Sequence, residues 1–187
     1  NGVVRTIKST RRELEKQGHH VDILSPLEFK TIPCPTYPDI QLSLRPKRQV
    51  FQRIDDFNPD AIHIATEGPL GLAARSWALK NNFPFTTAYH TKFPEYVKAR
   101  FGIPLWLTYA VIRHFHKPSE SVMVATPSVE KTLAEYGFRN LKRWSRGVDL
   151  SRFQLPPSAP TVQESHGLTR LANRNSVFKQ PMQFAAD

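Results

Sequence analysis

Cysteine and long apolar runs are both scarce in this chain of 187 residues. Because Cys34 is the single cysteine, an internal disulfide is impossible, and this composition suits a reducing compartment. No uninterrupted apolar stretch reaches about 18 residues, so we expect no membrane-spanning helix. A secretory signal pattern is also not visible. These features favour a cytoplasmic protein and leave peripheral contact with the inner face of a membrane open.

Metal-ligand and nucleic-acid motifs are missing as well. The seven histidines form no metal-ligand spacing with acidic residues or with Cys34, so we expect no metal site. We find no zinc-finger spacing, no RNA-binding aromatic motif and no glycine-rich arginine segment. Nucleic acid is therefore not an expected partner.

Positive charge, by contrast, is abundant. The chain has 26 lysines and arginines against 16 acidic residues, which gives a formal net charge of +10. This balance favours polyanionic partners, such as anionic lipid surfaces or phosphorylated small molecules. A solvated basic surface without a partner is the plainer alternative, and composition alone does not separate the two.

Predicted helices and strands alternate along the first 150 residues, which is typical of an α/β fold with a doubly wound, Rossmann-like parallel sheet. Hydrophobic periodicity and turn residues predict helices over 3–17, 46–57, 70–81, 94–101, 104–117 and 128–136, and strands over 20–24, 60–65, 84–89, 122–125 and 141–144. The proline-rich segment 27–44 is expected to be a loop with one short strand near Ile40. Since such a domain normally opens with a strand and this chain opens with a helix, we expect the first strand to be missing.

The character of the sequence changes after residue 153. The segment 155–160, LPPSAP, leads to a polar stretch without any alternation of strands and helices. We therefore predict one α/β domain over residues 1–153 and a disordered tail over residues 154–187.

Small and polar residues follow several of the predicted strands, where open α/β sheets bind their ligands. His90 ends the strand 84–89 and has the chemistry to bond a sugar hydroxyl or to transfer a proton. Glu67 can orient a hydroxylated ligand or cap the helix that begins near Pro69, and capping is favoured. For Thr126 and Ser128, which precede another helix, capping is also the favoured interpretation.

The predicted helix 104–117 is apolar around most of its circumference, which indicates packing in the core. Its last turn contains the basic and aromatic residues Arg113, His114, Phe115, His116 and Lys117. A helix lying on an anionic membrane surface is the alternative.

Four segments together resemble the N-terminal domain of family 4 retaining glycosyltransferases of the GT-B fold, in the branch similar to α-mannosyltransferases and sulfoquinovosyltransferases. They are residues 1–6 (NGVVRT), 59–71 (PDAIHIATEGPLG), 89–96 (YHTKFPEY) and 143–149 (RWSRGVD). They occur in the family's order and cover roughly residues 1–153. The resemblance implies transfer of mannose or a related hexose from a GDP- or UDP-linked sugar to a lipid or glycan, with retention and without another cofactor.

The resemblance also implies roles for individual residues. His90 matches the histidine near the transferred sugar, which it orients while the leaving diphosphate acts as the base. Gly2 matches the loop that approaches the donor diphosphate. Arg146 matches the crossing into the second domain, where its guanidinium can pair with a phosphate, although a surface arginine is the commoner case. The acceptor-side cleft would contain Asn1, Glu67, Gly68, Tyr89 and Lys92.

In the family, most donor contacts come from a second Rossmann-like domain, and residues 154–187 do not match it. We therefore expect an incomplete donor site, and the sequence leaves open whether the chain is itself an enzyme. The alternative is an inactive, truncated binding module at a membrane surface or with a full-length partner.

Overall fold

The computed structural model describes residues 2–34, 37–90 and 93–144, with only the backbone for residues 37–40. Six α-helices lie in this part of the chain, besides a single 3-10 turn over Pro26–Glu28: α1 (Gly2–Lys16), α2 (Lys47–Phe57), α3 (Pro69–Lys80), α4 (Phe93–Phe101), α5 (Leu105–His116) and α6 (Pro127–Glu135). The strands are β1 (Thr31–Cys34), β2 (Tyr37–Ser43), β3 (Ile62–Ile64), β4 (Phe85–Tyr89), β5 (Ser121–Val124) and β6 (Leu141–Arg143). Among these helices, none is long and apolar enough to cross a membrane.

The main sheet has four parallel strands in the order β3-β4-β5-β6, with helices between successive strands in the sequence. This arrangement confirms the predicted α/β, Rossmann-like fold, which is half of a GT-B architecture. Local signals explain where helices begin and end. Pro69 and Pro127 lie in the first turns of α3 and α6, where a missing N–H costs nothing. Asn58 ends α2 in the left-handed conformation, with φ of 48°.

Two apolar clusters form the core. The first joins α2, α3 and the neighbouring strands through Val50, Ile54, Ile64, Ala73, Trp77, Ala78, Phe85 and Phe115. The second joins α5, α6 and the strands β4 and β5 through Tyr89, Tyr109, Ile112, Val122, Val124, Leu133 and Phe138. The described part of the chain therefore holds the sheet between helices, as the alternating pattern predicted.

The strand predicted over residues 20–24 is wrong. Residues 19–25 have no regular secondary structure, although Val21, Ile23 and Leu24 are half-buried. A strand is defined by hydrogen bonds to a neighbouring strand, and none pairs with this segment among the described residues. Asp22 is bound instead by Arg53 of α2, whose Nε and Nη2 donate to the carboxylate at 2.7 and 3.0 Å.

The segment 27–44, expected to be a loop with one strand, contains an antiparallel pair of strands. The strand near Ile40 was expected and lies in β2, but β1 was missed. Thr31 pairs with Ser43, and the register shifts after Pro33. Proline cannot donate to a strand ladder, so it weakens a strand prediction; in a two-stranded ribbon, however, each strand has a free edge that tolerates it.

Several predictions concern parts of the chain outside the described residues. These are the roles of Asn1, Lys92 and Arg146, and the tail over residues 154–187. They stay predictions, as does the domain boundary at residue 153.

Candidate functional site

The register of the parallel sheet brings several strand ends to one edge. Tyr89, the last residue of β4, lies level with Val124, which lies level with Arg143. The strand β3 ends earlier, since Ile64 lies level with Thr87. The loop 65–68, His90 and Trp144 therefore all follow strand ends at the carboxyl edge, where ligands bind in open α/β folds.

Three aromatic rings lie near one another at this edge. The Trp144 ring centre is 6.3 Å from that of His63 and 6.4 Å from that of His90. Nδ1 of His63 lies 2.8 Å from Oγ1 of Thr86, the residue beside it on β4. His63 keeps contact with solvent, yet surrounding protein atoms desolvate its charged form and lower its pKa to about 4, with a further contribution from His90. His63 is therefore neutral at pH 7, whereas His90 is the half-buried ring that ends β4.

Glu67 does not cap the following helix, contrary to the favoured interpretation. The N-cap of α3 is Gly68, which has no side-chain capping bond. Oε1 of Glu67 lies instead 3.1 Å from Nε2 of His116, at the end of α5. The Glu67 side chain is 27% exposed and that of His116 is 1% exposed. One oxygen of the Glu67 carboxylate is therefore held by His116, while the side chain keeps contact with solvent.

The other side of the His116 ring continues this polar network. Nδ1 of His116 lies 2.8 Å from Oγ1 of Thr87 on β4. Thr87 in turn lies 3.2 Å from Oγ of Ser119, and the side-chain amide of Asn140 donates to the carbonyl of Ser119. A buried chain of hydrogen bonds thus joins β4, α5 and the turn before β5 to the open edge.

Two glycines shape the loop beside Glu67 in opposite ways. A Cβ added to Gly71 would lie 2.0 Å from the carbonyl oxygen of Thr66, so α3 packs directly against the loop backbone. A Cβ added to Gly68 would meet nothing within 4 Å among the described atoms. Gly71 is thus required by packing, whereas Gly68 leaves open space at the start of α3.

Tyr89, predicted to belong to the acceptor cleft, is 4% exposed. Tyr89 lines a small, partly open pocket of about 60 Å³ together with Glu95, Tyr109 and Ser128. Burial raises the pKa of Tyr89 and of Tyr109, and Tyr109 donates to Oε1 of Glu95 at 2.7 Å. Tyr89 therefore supports the edge from inside, while the prediction of an acceptor contact stays untested.

Gly2 is the first residue of α1, is exposed, and has room for a Cβ. A shallow groove of about 420 Å³ runs along α1. Its lining consists of Arg5, Thr6, Ser9, Thr10, Glu13, Leu14 and Trp144. Trp144 thus borders both this groove and the histidines of the sheet edge.

The two helix-capping predictions near α6 differ in outcome. Oγ1 of Thr126 accepts a hydrogen bond from the N–H of Val129 at 3.3 Å, which confirms capping for that residue. Ser128 is the second residue of α6 and is not its N-cap, and its hydroxyl lies 3.1 Å from that of Thr126. Both residues act locally at the helix start.

Sequence reasoning missed His116, which it placed in the basic rim at the end of α5. The signal was present, because Tyr109, Ile112 and His116 follow the spacing i, i+3, i+7 of one helix face. All three are buried. Thr87 and Trp144 were also missed, since their roles depend on contacts between distant segments. Over the described ranges, no group of three or more histidine, cysteine or acidic residues is arranged to hold a metal ion.

Comparison with known proteins identifies the family to which this chain belongs. The sequence profile of Glycosyltransferase Family 4 matches residues 1–152. The chain is 29% identical to the sulfoquinovosyl transferase SQD2 of Arabidopsis thaliana, over 77% of this chain and 28% of the relative. It is 25% identical to a GDP-mannose-dependent alpha-mannosyltransferase of Mycobacterium tuberculosis, over 85% and 46%. It is 26% identical to the alpha-monoglucosyldiacylglycerol synthase of Streptococcus pneumoniae, over 83% and 39%.

The chain spans less than half the length of each of these relatives. No solved structure matches it significantly. The profile nevertheless covers most of the chain, including the loop 65–68 and His90, and its α/β fold agrees with the observed parallel sheet. The chain therefore belongs to glycosyltransferase family 4.

Proposed function

We propose that the protein transfers mannose or a related hexose from a GDP- or UDP-linked sugar to a lipid or glycan acceptor, with retention, and that this chain supplies the acceptor side. The observation that carries the proposal is that Glu67, Gly68 and His90 all follow strand ends at the carboxyl edge of the sheet. The relatives support the chemistry, since they include a GDP-mannose-dependent alpha-mannosyltransferase and an alpha-monoglucosyldiacylglycerol synthase.

The proposed reaction exchanges one bond at the anomeric carbon of the donor sugar. The bond from that carbon to the diphosphate oxygen breaks, and the acceptor hydroxyl oxygen bonds to the carbon on the same face. The hydroxyl proton passes to the departing diphosphate. In this scheme His90 orients the sugar through a hydrogen bond, and no further cofactor takes part.

The remaining residues bind the two substrates. The Glu67 carboxylate accepts a hydrogen bond from an acceptor hydroxyl, and Gly68 lets the ligand approach the start of α3, whose dipole favours negative charge. We assign Gly2 and Arg146 to the donor diphosphate. Asn1, Tyr89 and Lys92 complete the acceptor side, with Tyr89 acting from its buried position.

A reconstitution assay tests the proposal. The chain is incubated alone, and also mixed with the second domain of the Mycobacterium tuberculosis relative, with radiolabelled GDP-mannose or UDP-glucose. Dioleoylglycerol and α-mannobiose serve as acceptors. We expect transfer in the mixture only, with an α-linked product. No transfer in any combination would contradict catalysis and favour the inactive binding module.

His90 has a matched control at the same edge. In the active mixture, His90→Ala should lower transfer about 100-fold, because the sugar loses an orienting contact. His63→Ala, which removes a histidine at a similar distance from Trp144, should lower it far less. Thermal unfolding of both variants provides the check. An equal loss of stability and transfer in the His90 variant would make His90 a structural residue.

A specific observation favours binding to an anionic membrane surface as well. Trp106 and Val111 of α5 are 67% and 62% exposed, and Phe93, Tyr96 and Phe101 of α4 are also exposed. The last turns of the same two helices contain the basic residues Lys98, Arg100 and Arg113. Aromatic side chains beside cationic ones suit the boundary between lipid headgroups and acyl chains. We therefore propose that the α4–α5 surface contacts anionic lipid.

Vesicle sedimentation separates this proposal from a merely basic protein. We expect the chain to bind vesicles of dioleoylphosphatidylglycerol more tightly than those of dioleoylphosphatidylcholine. Leu107→Ser on α5 should weaken binding, whereas Leu72→Ser on α3, a leucine of similar exposure, should leave it unchanged. Equal effects of the two substitutions, or indifference to anionic lipid, would contradict the proposal.

A further inference from the structure

His116 is buried at the end of α5, yet one of its ring nitrogens reaches the carboxyl edge of the sheet through Glu67. We infer that His116 is a positioning residue whose two ring nitrogens both donate hydrogen bonds, to Thr87 and to Glu67, and so fix the Glu67 carboxylate for an acceptor hydroxyl. The ligand in this inference rests on the proposed function. The proton arrangement rests only on contacts between described residues.

The number of protons on each group determines which group donates in this network. Ser119 has one hydroxyl proton. Oγ of Ser119 lies 2.7 Å from the carbonyl oxygen of His116, and a carbonyl can only accept. Ser119 therefore donates there. Its oxygen is left to accept from the Asn140 amide at 3.2 Å and from Thr87 at 3.2 Å.

The same count then assigns the direction of the bond at Nδ1. Since the Ser119 proton is used, the contact between Thr87 and Ser119 is a hydrogen bond only if the Thr87 hydroxyl donates, and the carbonyl oxygen of Ser121, 3.5 Å from Thr87, likewise only accepts. With its single proton directed to Ser119 and Ser121, the Thr87 oxygen accepts from its remaining partner. That partner is Nδ1 of His116, 2.8 Å away, which therefore carries a proton.

At Nε2 the partner is Oε1 of Glu67, and a carboxylate oxygen without a proton is an acceptor only. A neutral ring with its proton on Nδ1 would present a lone pair to this carboxylate. A second proton on Nε2 resolves the conflict and gives an ion pair between Glu67 and a charged imidazole. The position of His116 in the last turn of α5 favours positive charge, because the helix dipole is negative there.

The surroundings hold the ring in one orientation. Tyr89, Phe115 and Phe138 pack around it, with ring centres 6.4, 5.1 and 5.9 Å from that of His116. Arg75 of α3 donates to the carbonyl oxygens of Phe115 and His114. Among the described residues, Glu67 is the carboxylate in contact with His116.

This geometry separates the two oxygens of Glu67. Oε1 bonds the ring, whereas no described residue is recorded as a hydrogen-bond partner of Oε2. The side chain is partly open to solvent at the sheet edge. An anchored carboxylate with one oxygen available can accept a hydrogen bond from a ligand hydroxyl without first losing rotamer freedom.

Long-range ¹H–¹⁵N spectra of the ¹⁵N-labelled chain at about pH 7 test the proton arrangement without any substrate. We expect both ring nitrogens of His116 to be protonated. In Glu67→Gln the counter-charge is gone, so Nε2 should lose its proton while Nδ1 keeps it. A neutral His116 ring in the unaltered chain, or a ring that does not respond to Glu67→Gln, would overturn the inference.

Two substitutions of His116 separate positioning from packing. Glutamine places its amide nitrogen near the position of Nε2, and asparagine places it near that of Nδ1. We expect three-bond couplings of Glu67 to report a single rotamer in His116→Gln and averaged rotamers in His116→Asn. Both substitutions leave a smaller side chain in the buried site, so comparable losses of thermal stability are expected.

The reconstituted mixture adds a kinetic measurement. His116→Asn should raise the acceptor KM about tenfold with little change in kcat, whereas His116→Gln should stay within about threefold. Equal KM changes together with equal Glu67 couplings would make His116 structural only and overturn the positioning role. If the unaltered mixture shows no transfer, the proposed function fails, while the spectra and couplings still decide the inference.

Discussion

The helices α1 and α5 both carry apolar residues at helical spacing, but these residues are buried to different depths. In α5, four of twelve residues are buried: Tyr109, Ile112, Phe115 and His116. In α1, none of fifteen residues is buried, and the face formed by Val3, Ile7 and Leu14 is half-buried beside an open groove. A periodic pattern thus predicts which face of a helix is apolar, while the depth of burial depends on the partner that covers it.

Polar contacts differ in the same way. In α5, Tyr109 bonds Glu95 of α4, His116 bonds Glu67 and Thr87, and Arg113 donates to the carbonyl of Tyr136 at 2.9 Å. In α1, Arg11 and Lys16 bond Glu15 and Glu13 of the same helix. Local bonds of exposed residues contribute little to tertiary stability, so α5 is tied into the fold more firmly.

The largest expected effect compares one isoleucine from each helix. Ile112→Ala should lower the free energy of unfolding by about 3 kcal/mol, because it opens a cavity in the buried cluster around α5. Ile7→Ala should cost less than about 1 kcal/mol, since its side chain is half exposed already. Urea unfolding followed by circular dichroism measures both. Similar losses would show that α1 is packed as firmly as α5.

The second prediction concerns the glycines of the loop beside α3. Gly71→Ala should cost about 2 kcal/mol, because the new Cβ meets the Thr66 carbonyl and must displace the loop. Gly68→Ala should change stability by less than about 0.5 kcal/mol, since that Cβ points into open space. Thermal unfolding checks the pair. A stable Gly71 variant would contradict the close packing of α3 against the loop.

A third pair tests the polar side of α5. Tyr109→Phe should cost about 1–2 kcal/mol, because it removes a hydrogen bond to the partly buried Glu95 carboxylate. Tyr136→Phe is the control, since this ring stacks on Tyr109 with centres 3.7 Å apart and would keep its stacking. We expect the control to lie within about 0.5 kcal/mol of the unaltered chain in urea unfolding. Equal costs would assign the stability to ring packing instead.

The smallest expected effect concerns the ion pair between Arg53 of α2 and Asp22. The Arg53 guanidinium holds the pKa of Asp22 below its ordinary value of 3.8, mainly through the hydrogen bond between them. Because the folded pKa is the lower one, the pair stabilises the fold above about pH 4 and this contribution is lost as the pH falls through the folded pKa. Arg53→Gln should therefore flatten the decline of the thermal midpoint between about pH 5 and pH 2.5.

Arg48, an exposed arginine of α2, provides the control for this measurement. Arg48→Gln should leave the decline of the midpoint unchanged. If both substitutions act alike, the effect comes from the net charge of α2 and not from the contact with Asp22.

The sequence predicted helices well because their signals are local. Glycine, asparagine and proline mark the ends of α2, α3 and α6, and these helices lie within two residues of their predicted bounds. Strands depend on partners. The segment 20–24 has an alternating pattern but pairs with no strand among the described residues. By contrast, β1 contains Pro33 and still pairs with β2. Pairing of strands overrides local preference in both cases.

The candidate site divides along the same line. His90 and Glu67 were selected from their places at strand ends, and the parallel register brings both segments to one edge. The capping role favoured for Glu67 was wrong, because His116, 49 residues away, binds the carboxylate. Such a contact leaves no mark in a local pattern, although the helical spacing of His116 already indicated a buried face.

By itself, the amino-acid sequence determined the α/β class, the helix bounds and the strand ends that meet at one edge. These follow from hydrophobic periods, capping residues and prolines, which act over a few neighbouring residues. Only the tertiary structure decided which apolar faces are covered, which strands find partners, and that His116 anchors Glu67. Those outcomes depend on contacts between distant segments, whose energies the local sequence does not contain.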